Sequence, residues 1–285
     1  MILVTGAAGK TGQAVIRALL NRGARVRGLV RRPEQVARLQ NMGVSDTVVG
    51  DIQQESTLHQ AWQGVEAVYL ICPNMHPDET AIGRMAIQAA QMVSGVHLVY
   101  HSVLHPHTQK MPHHWRKLRV EELLFESAQA WTILQPAAYL QNILASWPAI
   151  LAEGVYRVPY PVETRLGMVD LEDVAEVAAT VLSEPGHAGA IYELAGPEVL
   201  SQREVTVVIG EVLGRPVQAE EIPLDKWANT ARAGGLGDYQ VETLLKMFQY
   251  YAQYGFWGNP HVLHWLLGRQ PSGLRAFLER VNEKL

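Results

Sequence analysis

The chain has 285 residues, a formal net charge of −4 and a single cysteine, Cys72. With 48% hydrophobic and 18% charged residues it reads as a globular protein with a sizeable core, one large domain or two small ones. The acidic balance gives no global basic footprint for nucleic acid, one cysteine excludes an intramolecular disulfide, and no apolar run reaches membrane-spanning length. A reducing, cytoplasmic location is expected, since the first residues lack a charged leader and already read as a strand.

Residues 2–5 form that short apolar strand. Gly6-x-x-Gly9-x-x-Gly12 follows, with Lys10 and Thr11 inside the turn. The segment then repeats apolar residues at helical spacing, with Val15 and Leu19 beside Ile16 and Leu20. Strand, glycine turn and helix in this order form the first unit of a dinucleotide-binding fold. Gly6 permits the sharp turn, Gly9 lets backbone N–H groups approach a diphosphate, and Gly12 lets the helix pack close to the strand. The helix N-terminus offers open N–H donors and a positive dipole end to the anion.

Gly23 ends the first helix, and 25–30 read as a second strand leading directly into Arg31 and Arg32. An acidic residue at this place would accept hydrogen bonds from the ribose 2′-hydroxyl of NAD. A guanidinium has no acceptor and pairs instead with a 2′-phosphate, which points to NADP(H). A helix over 33–41 and a third strand over 47–49 bring Asp51 and Ile52 to a strand's carboxyl end. There Asp51 can accept from the adenine amino group, or cap the helix starting near Ser56, and Ile52 can pack on the ring. The fourth strand, 67–71, ends at Cys72 and Pro73, near where the nicotinamide half is expected. Cys72 itself reads as a small buried residue, not a nucleophile.

A long helix over 80–94, a fifth strand over 97–103 and a sixth over 131–135, stopped by Pro136, complete the alternation. This pattern gives an α/β fold, a Rossmann-type doubly wound parallel sheet with a smaller C-terminal substrate domain. The expected division is a nucleotide-binding domain over 1–138, its sheet completed by parts of 155–195, and a mainly helical substrate or lid region over 139–285. Further along, a helix over 174–182, a strand over 190–195, a capping box from Ser201 to Glu204 opening a helix to Val212, and a closing helix over 274–281 are expected.

The richest chemistry lies between His101 and Glu122. Ser102 at the strand end and Lys117 on the next helix occupy the catalytic places of a short-chain dehydrogenase, but His113 stands where the Tyr four residues before the Lys would be. Lys117 can hydrogen-bond the nicotinamide ribose and assist a proton donor, or it is a surface lysine paired with Glu121 one turn away. His113 or His114 can donate a proton near neutral pH, or both form a polar loop rim. His105, His107, His113 and His114 lack the spacing of a zinc hydrolase, and no metal is expected. The aromatic run Tyr239, Phe248, Tyr250, Tyr251, Tyr254, Phe256, Trp257 and Trp265 either lines a pocket for a flat apolar substrate or forms a domain core.

The glycine turn, Val30-Arg31, Gly50-Asp51, the 113–121 segment, 167–174 and 192–196 together resemble the NmrA-like family of atypical short-chain dehydrogenases, related to triphenylmethane and quinone reductases. The resemblance implies a nicotinamide-binding N-terminal domain and a smaller domain closing a substrate cleft. The expected activity is NADP(H)-dependent hydride transfer to an apolar, quinone- or aryl-like acceptor. The alternative, prompted by the missing Tyr, is a non-catalytic NADP(H) sensor that binds a protein partner. A sugar-nucleotide epimerase is disfavoured, because that chemistry needs a base at the sugar hydroxyl. No nucleic-acid or membrane partner is expected.

Overall fold

The structure, a computed structural model, describes residues 1–283. The chain divides into two compact units, the first gathering Met1–His107, His113–Gln135 and Leu171–Tyr192, the second Thr108–Pro112, Pro136–Asp170 and residues from Glu193 onward.

The first unit is built on strands β1 (Ile2–Val4), β2 (Val26–Val30), β3 (Asp46–Val49), β4 (Ala67–Leu70), β5 (His97–His101) and β6 (Ala130–Pro136). They lie in the order β3-β2-β1-β4-β5-β6, with the strand Ala190–Leu194 beyond β6. All the pairs from β3 to β6 are parallel. Helices α1 (Lys10–Asn21), α2 (Glu34–Asn41), α3 (Glu55–Trp62), α4 (Glu79–Gln91) and α5 (Pro112–Phe125) connect them. β1 and β4 are buried along their whole length, as strands covered on both faces must be, and read as unbroken apolar runs. This is the expected doubly wound parallel sheet. The chain moves to one side of β1 through β2 and β3, then returns to the other through β4. That reversal opens a crevice at the carboxyl ends of β1 and β4.

Thr5 marks the crevice. Its hydroxyl donates to the Ile71 carbonyl at 2.9 Å and accepts from the Ile71 amide at 2.7 Å, extending the β1–β4 ladder past the strand ends. The first helix starts at Lys10, earlier than its apolar repeat suggests, because Gly9 is extended at the N-cap. Lys10, Thr11 and Gly12 are therefore the first helical turn. β6 extends through Pro136, beyond the stop expected there; a proline at a strand's last residue withdraws only its own N–H.

The second unit has two two-stranded sheets, Val199–Ser201 antiparallel to Arg165–Gly167 and Gln218–Glu221 parallel to Val155–Val158. Its helices include Gln202–Leu213, Asp238–Tyr254 and Leu274–Asn282. The capping box expected at Ser201 and Glu204 is present in both directions. The aromatic run splits. Phe248, Tyr251 and Phe256 are core, with Tyr251 stacked on Phe256 at 5.1 Å, whereas Tyr254, Trp257 and Trp265 are exposed. No helix among the described residues is long and apolar enough to cross a membrane.

A Cβ placed on Gly12 would lie 2.4 Å from the Gly6 carbonyl oxygen and 2.8 Å from the Ala7 Cα, both rigid backbone. Gly12→Ala is therefore expected to destabilise the fold by about 1–3 kcal/mol, read as a lower midpoint in urea unfolding; an unchanged midpoint would show that the α1–β1 approach can relax.

Candidate active site

The glycine turn sits at the crevice. Gly6 adopts φ +57°, the left-handed region closed to most side chains. Its carbonyl accepts from the Gly9 amide at 2.9 Å, closing the turn. Gly9 brings no side chain to cap α1, so the N–H groups of the first turn face outward without a capping oxygen. These residues fit a dinucleotide. The bare crook supplies donors and a positive dipole end to a diphosphate, and Gly12 is the residue that its close approach to Gly6 demands. Lys10 is exposed beside it and Thr11 half-buried.

At the end of β2, Gln35 Oε1 accepts from the amides of both Arg31 and Arg32 at 3.1 Å, fixing the backbone there. The Arg31 side chain is 72% exposed and pairs with the Asp51 carboxylate at 3.7 Å; Arg32 pairs with Glu34 at 3.0 Å. Pairs this exposed are worth little and release a guanidinium readily to a phosphate. Asp51 does not cap α3, whose N-cap is Gln54. Its Oδ1 instead accepts from the Gln53 amide at 3.0 Å. The side chains of Ile52 and Cys72 belong to the hydrophobic core. Burial pushes the Cys72 thiol far up, which leaves it an inert thiol. Pro73 is half-buried next to it.

A buried polar layer lies at the carboxyl ends of β4, β5 and β6. Lys117 Nζ donates to Glu79 Oε1 at 2.7 Å and to the His101 carbonyl at 3.3 Å, and lies 5.4 Å from the centre of the Tyr100 ring. Its partner is thus Glu79, not Glu121, and it is a half-buried lysine, not an exposed surface one. Tyr100 also donates to Glu79 Oε1, at 3.2 Å. Glu79 Oε2 is buried with no hydrogen-bond partner among the described residues, an arrangement that ordinarily costs about 1–3 kcal/mol.

Ser102 donates to Glu121, and Gln135 Nε2 donates to both oxygens of the same carboxylate at 3.0 Å. The Ser102 proton is thus committed to Glu121, whose carboxyl is pushed up by burial against the pull of Ser102, Gln135 and Lys117. His113 and His114 are buried on α5, their rings 4.5 Å apart, and form no loop rim. Burial, with Lys117 adding to it, holds His113 down at about 3, and likewise His101, whose Nδ1 meets the Tyr69 hydroxyl at 2.6 Å. His114 is also held well below its ordinary value, chiefly by burial. Burial thus disfavours the charged form of these rings, which weighs against the expectation that His113 or His114 donates a proton near neutral pH. His113 keeps a buried, unpartnered Nδ1. Among the described residues no three His, Cys, Asp or Glu side chains gather as metal ligands.

Lys117, His113 and Ser102 therefore come to one layer, but Ser102 belongs to the Glu121–Gln135 end of it. Two strained positions flank the same edge: Met75, after β4, has φ +49° and His105, after β5, has φ +52°. Glu79, Tyr100, Tyr69 and Gln135 are the members that the sequence alone did not single out. A Glu in the first turn of a helix reads as dipole compensation, and a Tyr inside an apolar strand reads as core.

Fold and turn together define a dinucleotide-binding α/β protein. The family model described as NmrA-like matches residues 1–280, and the chain belongs to that family. It is similar to an NAD(P)H azoreductase of Xenophilus azovorans, 29% identical over 250 residues that cover 87% of this chain and 86% of the relative. A (4-alkanoyl-5-oxo-2,5-dihydrofuran-3-yl)methyl phosphate reductase of Streptomyces griseus is 36% identical over 229 residues, 79% of this chain and 78% of the relative. Among solved structures, an NADPH-dependent quinone oxidoreductase of Escherichia coli complexed with NADPH superposes with a TM-score of 0.85 at 27% identity, over 99% of this chain and 100% of the other.

The buried histidines carry a stability consequence. They are neutral in the fold, but in the unfolded chain they take up protons below about pH 6.5. The unfolded state then binds more protons, so stability is lost as pH falls through that value towards 3. Half-buried His97 is held down in the same way, and Glu121 acts in the opposite sense, one group against four. The melting temperature is expected to drop on acidification from neutral to roughly pH 4.5, and His113→Leu to flatten the drop; a profile of unchanged slope in the variant would contradict the buried, neutral ring.

Proposed function

We propose that the chain is an NADPH-dependent reductase of quinone- or aryl-like acceptors. The observation that carries this reading is the outward-facing first turn of α1 together with the exposed Arg31–Arg32 pair, in a chain whose named relatives are reductases. The activities of those relatives, on azo compounds, a furan-based phosphate and quinones, share a flat conjugated acceptor. The sensing alternative finds no support in them.

NADPH, when bound, supplies a hydride, and the acceptor also consumes a proton, so that a quinone becomes a hydroquinone and NADPH becomes NADP⁺. The chain's part is binding, orientation and exclusion of water. The first-turn N–H groups of Lys10, Thr11 and Gly12 hold the diphosphate, with the Lys10 ammonium beside them. Arg31 and Arg32 take the 2′-phosphate, Arg31 giving up its long contact to Asp51. Lys117 spends two of its three N–H bonds on Glu79 and the His101 carbonyl and offers the third to the nicotinamide ribose. His113, one turn before it, offers a neutral ring to the acceptor as a hydrogen-bonding group and not as an acid. Acceptors of this class need little acid catalysis, which makes a chain without the usual Tyr workable.

Steady consumption of NADPH with a panel of quinones and azo or aryl dyes is the expected result; tight NADPH binding with no turnover of any acceptor would contradict the reading. Arg31→Ala is expected to weaken NADPH binding by about 10-fold, in line with the loss of one charge-assisted hydrogen bond, and to leave NADH nearly unchanged. An equal loss for both nucleotides would remove Arg31 from the 2′-phosphate.

A further inference from the structure

Glu79 has no part in the cofactor contacts above, yet it is 0% exposed and its second oxygen has no hydrogen-bond partner among the described residues. A carboxylate at such a depth is costly unless it is paired, and here the pairing runs through Oε1 alone, to Lys117 and Tyr100. It is the first residue of α4, entering just after the loop that follows β4, and it faces Lys117 across the end of β5.

We propose that Glu79 is the positioning residue for Lys117, holding its ammonium in one orientation at the carboxyl edge of β4 and β5. The proposal rests on the reductase reading for what Lys117 then does. Nζ carries three donors on a flexible four-carbon stem, and a lone lysine would sample many rotamers. Oε1 of Glu79 at 2.7 Å and the His101 carbonyl at 3.3 Å fix two of the three N–H directions, and so determine where the third points. Tyr100 steadies the carboxylate by donating to the same Oε1.

The other titratable groups facing this pair are Cys72 after β4, Tyr100 and His101 on β5, and His113, His114 and Glu121 on α5. Burial holds the thiol and the phenol protonated and the three rings neutral. Glu121 is engaged by Ser102 and Gln135. Glu79 is thus the carboxylate that both contacts the ammonium and balances its charge. Replacing the pair by apolar side chains would cost the fold little, which makes a purely structural role a poor account of it.

The test uses the full chain carrying ¹³C-labelled lysine. The Lys117 Cε signal is identified by its loss in Lys117→Met and followed from neutral to alkaline pH in the unaltered chain, in Glu79→Gln and in Glu79→Asp. In Glu79→Gln the Lys117 midpoint is expected to move to lower pH, and kcat with NADPH to fall by up to roughly 100-fold, with a much smaller change in KM for NADPH. Glu79→Asp keeps the charge but shortens the reach. It is expected to leave the midpoint near that of the unaltered chain while losing part of kcat, and it takes over the test should Glu79→Gln lose its cooperative melt. An unmoved Lys117 midpoint in Glu79→Gln, or a full kcat in Glu79→Asp, overturns the proposal. The titration needs no turnover, so a chain that reduces no acceptor defeats the reductase reading alone, and the tie between Glu79 and Lys117 is still decided by the Lys117 signal.

Discussion

The contact on which the rest depends is the place where α1 meets the end of β1. Gly12 lies against the Gly6 carbonyl so closely that no side chain fits between them. That approach carries the start of α1 to the crevice between β1 and β4, with its open N–H groups foremost. Behind it, Ala14, Val15, Ile16 and Leu19 are fully buried, and the helix Leu171–Ser183 packs along α1 with its own apolar face. Exposed pairs of Arg17 with Glu172 and Arg22 with Glu184 run along the same two helices and add little to the burial. Local backbone freedom at Gly6 and the close approach at Gly12, secured by ordinary core packing, thus leave the start of α1 without a side-chain cap at the crevice.

The second organising feature is the economy of charge beneath the carboxyl ends of β4, β5 and β6. The layer holds three histidines, a cysteine, two tyrosines and two glutamates, and burial makes most of them neutral. Charge is concentrated in Lys117 and its carboxylate partner. A positive group in such surroundings acts more strongly on a neighbouring dipole than one in water, since little solvent screens it. His113 stands one turn before Lys117, so that a neutral imidazole and an ammonium share one helix face.

Much of the fold was legible in the residues. Strand, glycine turn and helix announce themselves by period and by Gly placement, and the alternation that follows dictates a parallel sheet. The family resemblance rested on short stretches, and the family match extends it over nearly the whole chain. The site was less legible, because pairing between elements is not written in local spacing. Lys117 and Glu121 are one helical turn apart and look like a surface pair, but α5 turns Lys117 towards α4 and Glu121 towards Ser102 and Gln135. The histidines look like a titrating cluster because depth of burial cannot be read from a segment rich in polar letters. Glu79 was hidden by its position in a first helical turn, where an acid is unremarkable. The aromatic run is part core and part surface for the same reason, since several of its members share one long helix with different faces.

Titration of the purified chain with NADPH, followed by the nucleotide's own fluorescence, bears most directly on the central claim. The account predicts one saturable site, tighter for NADPH than for NADH and weakened by rising salt as the phosphate contacts are screened. Absence of saturable binding, or an equal affinity for both nucleotides, would contradict it.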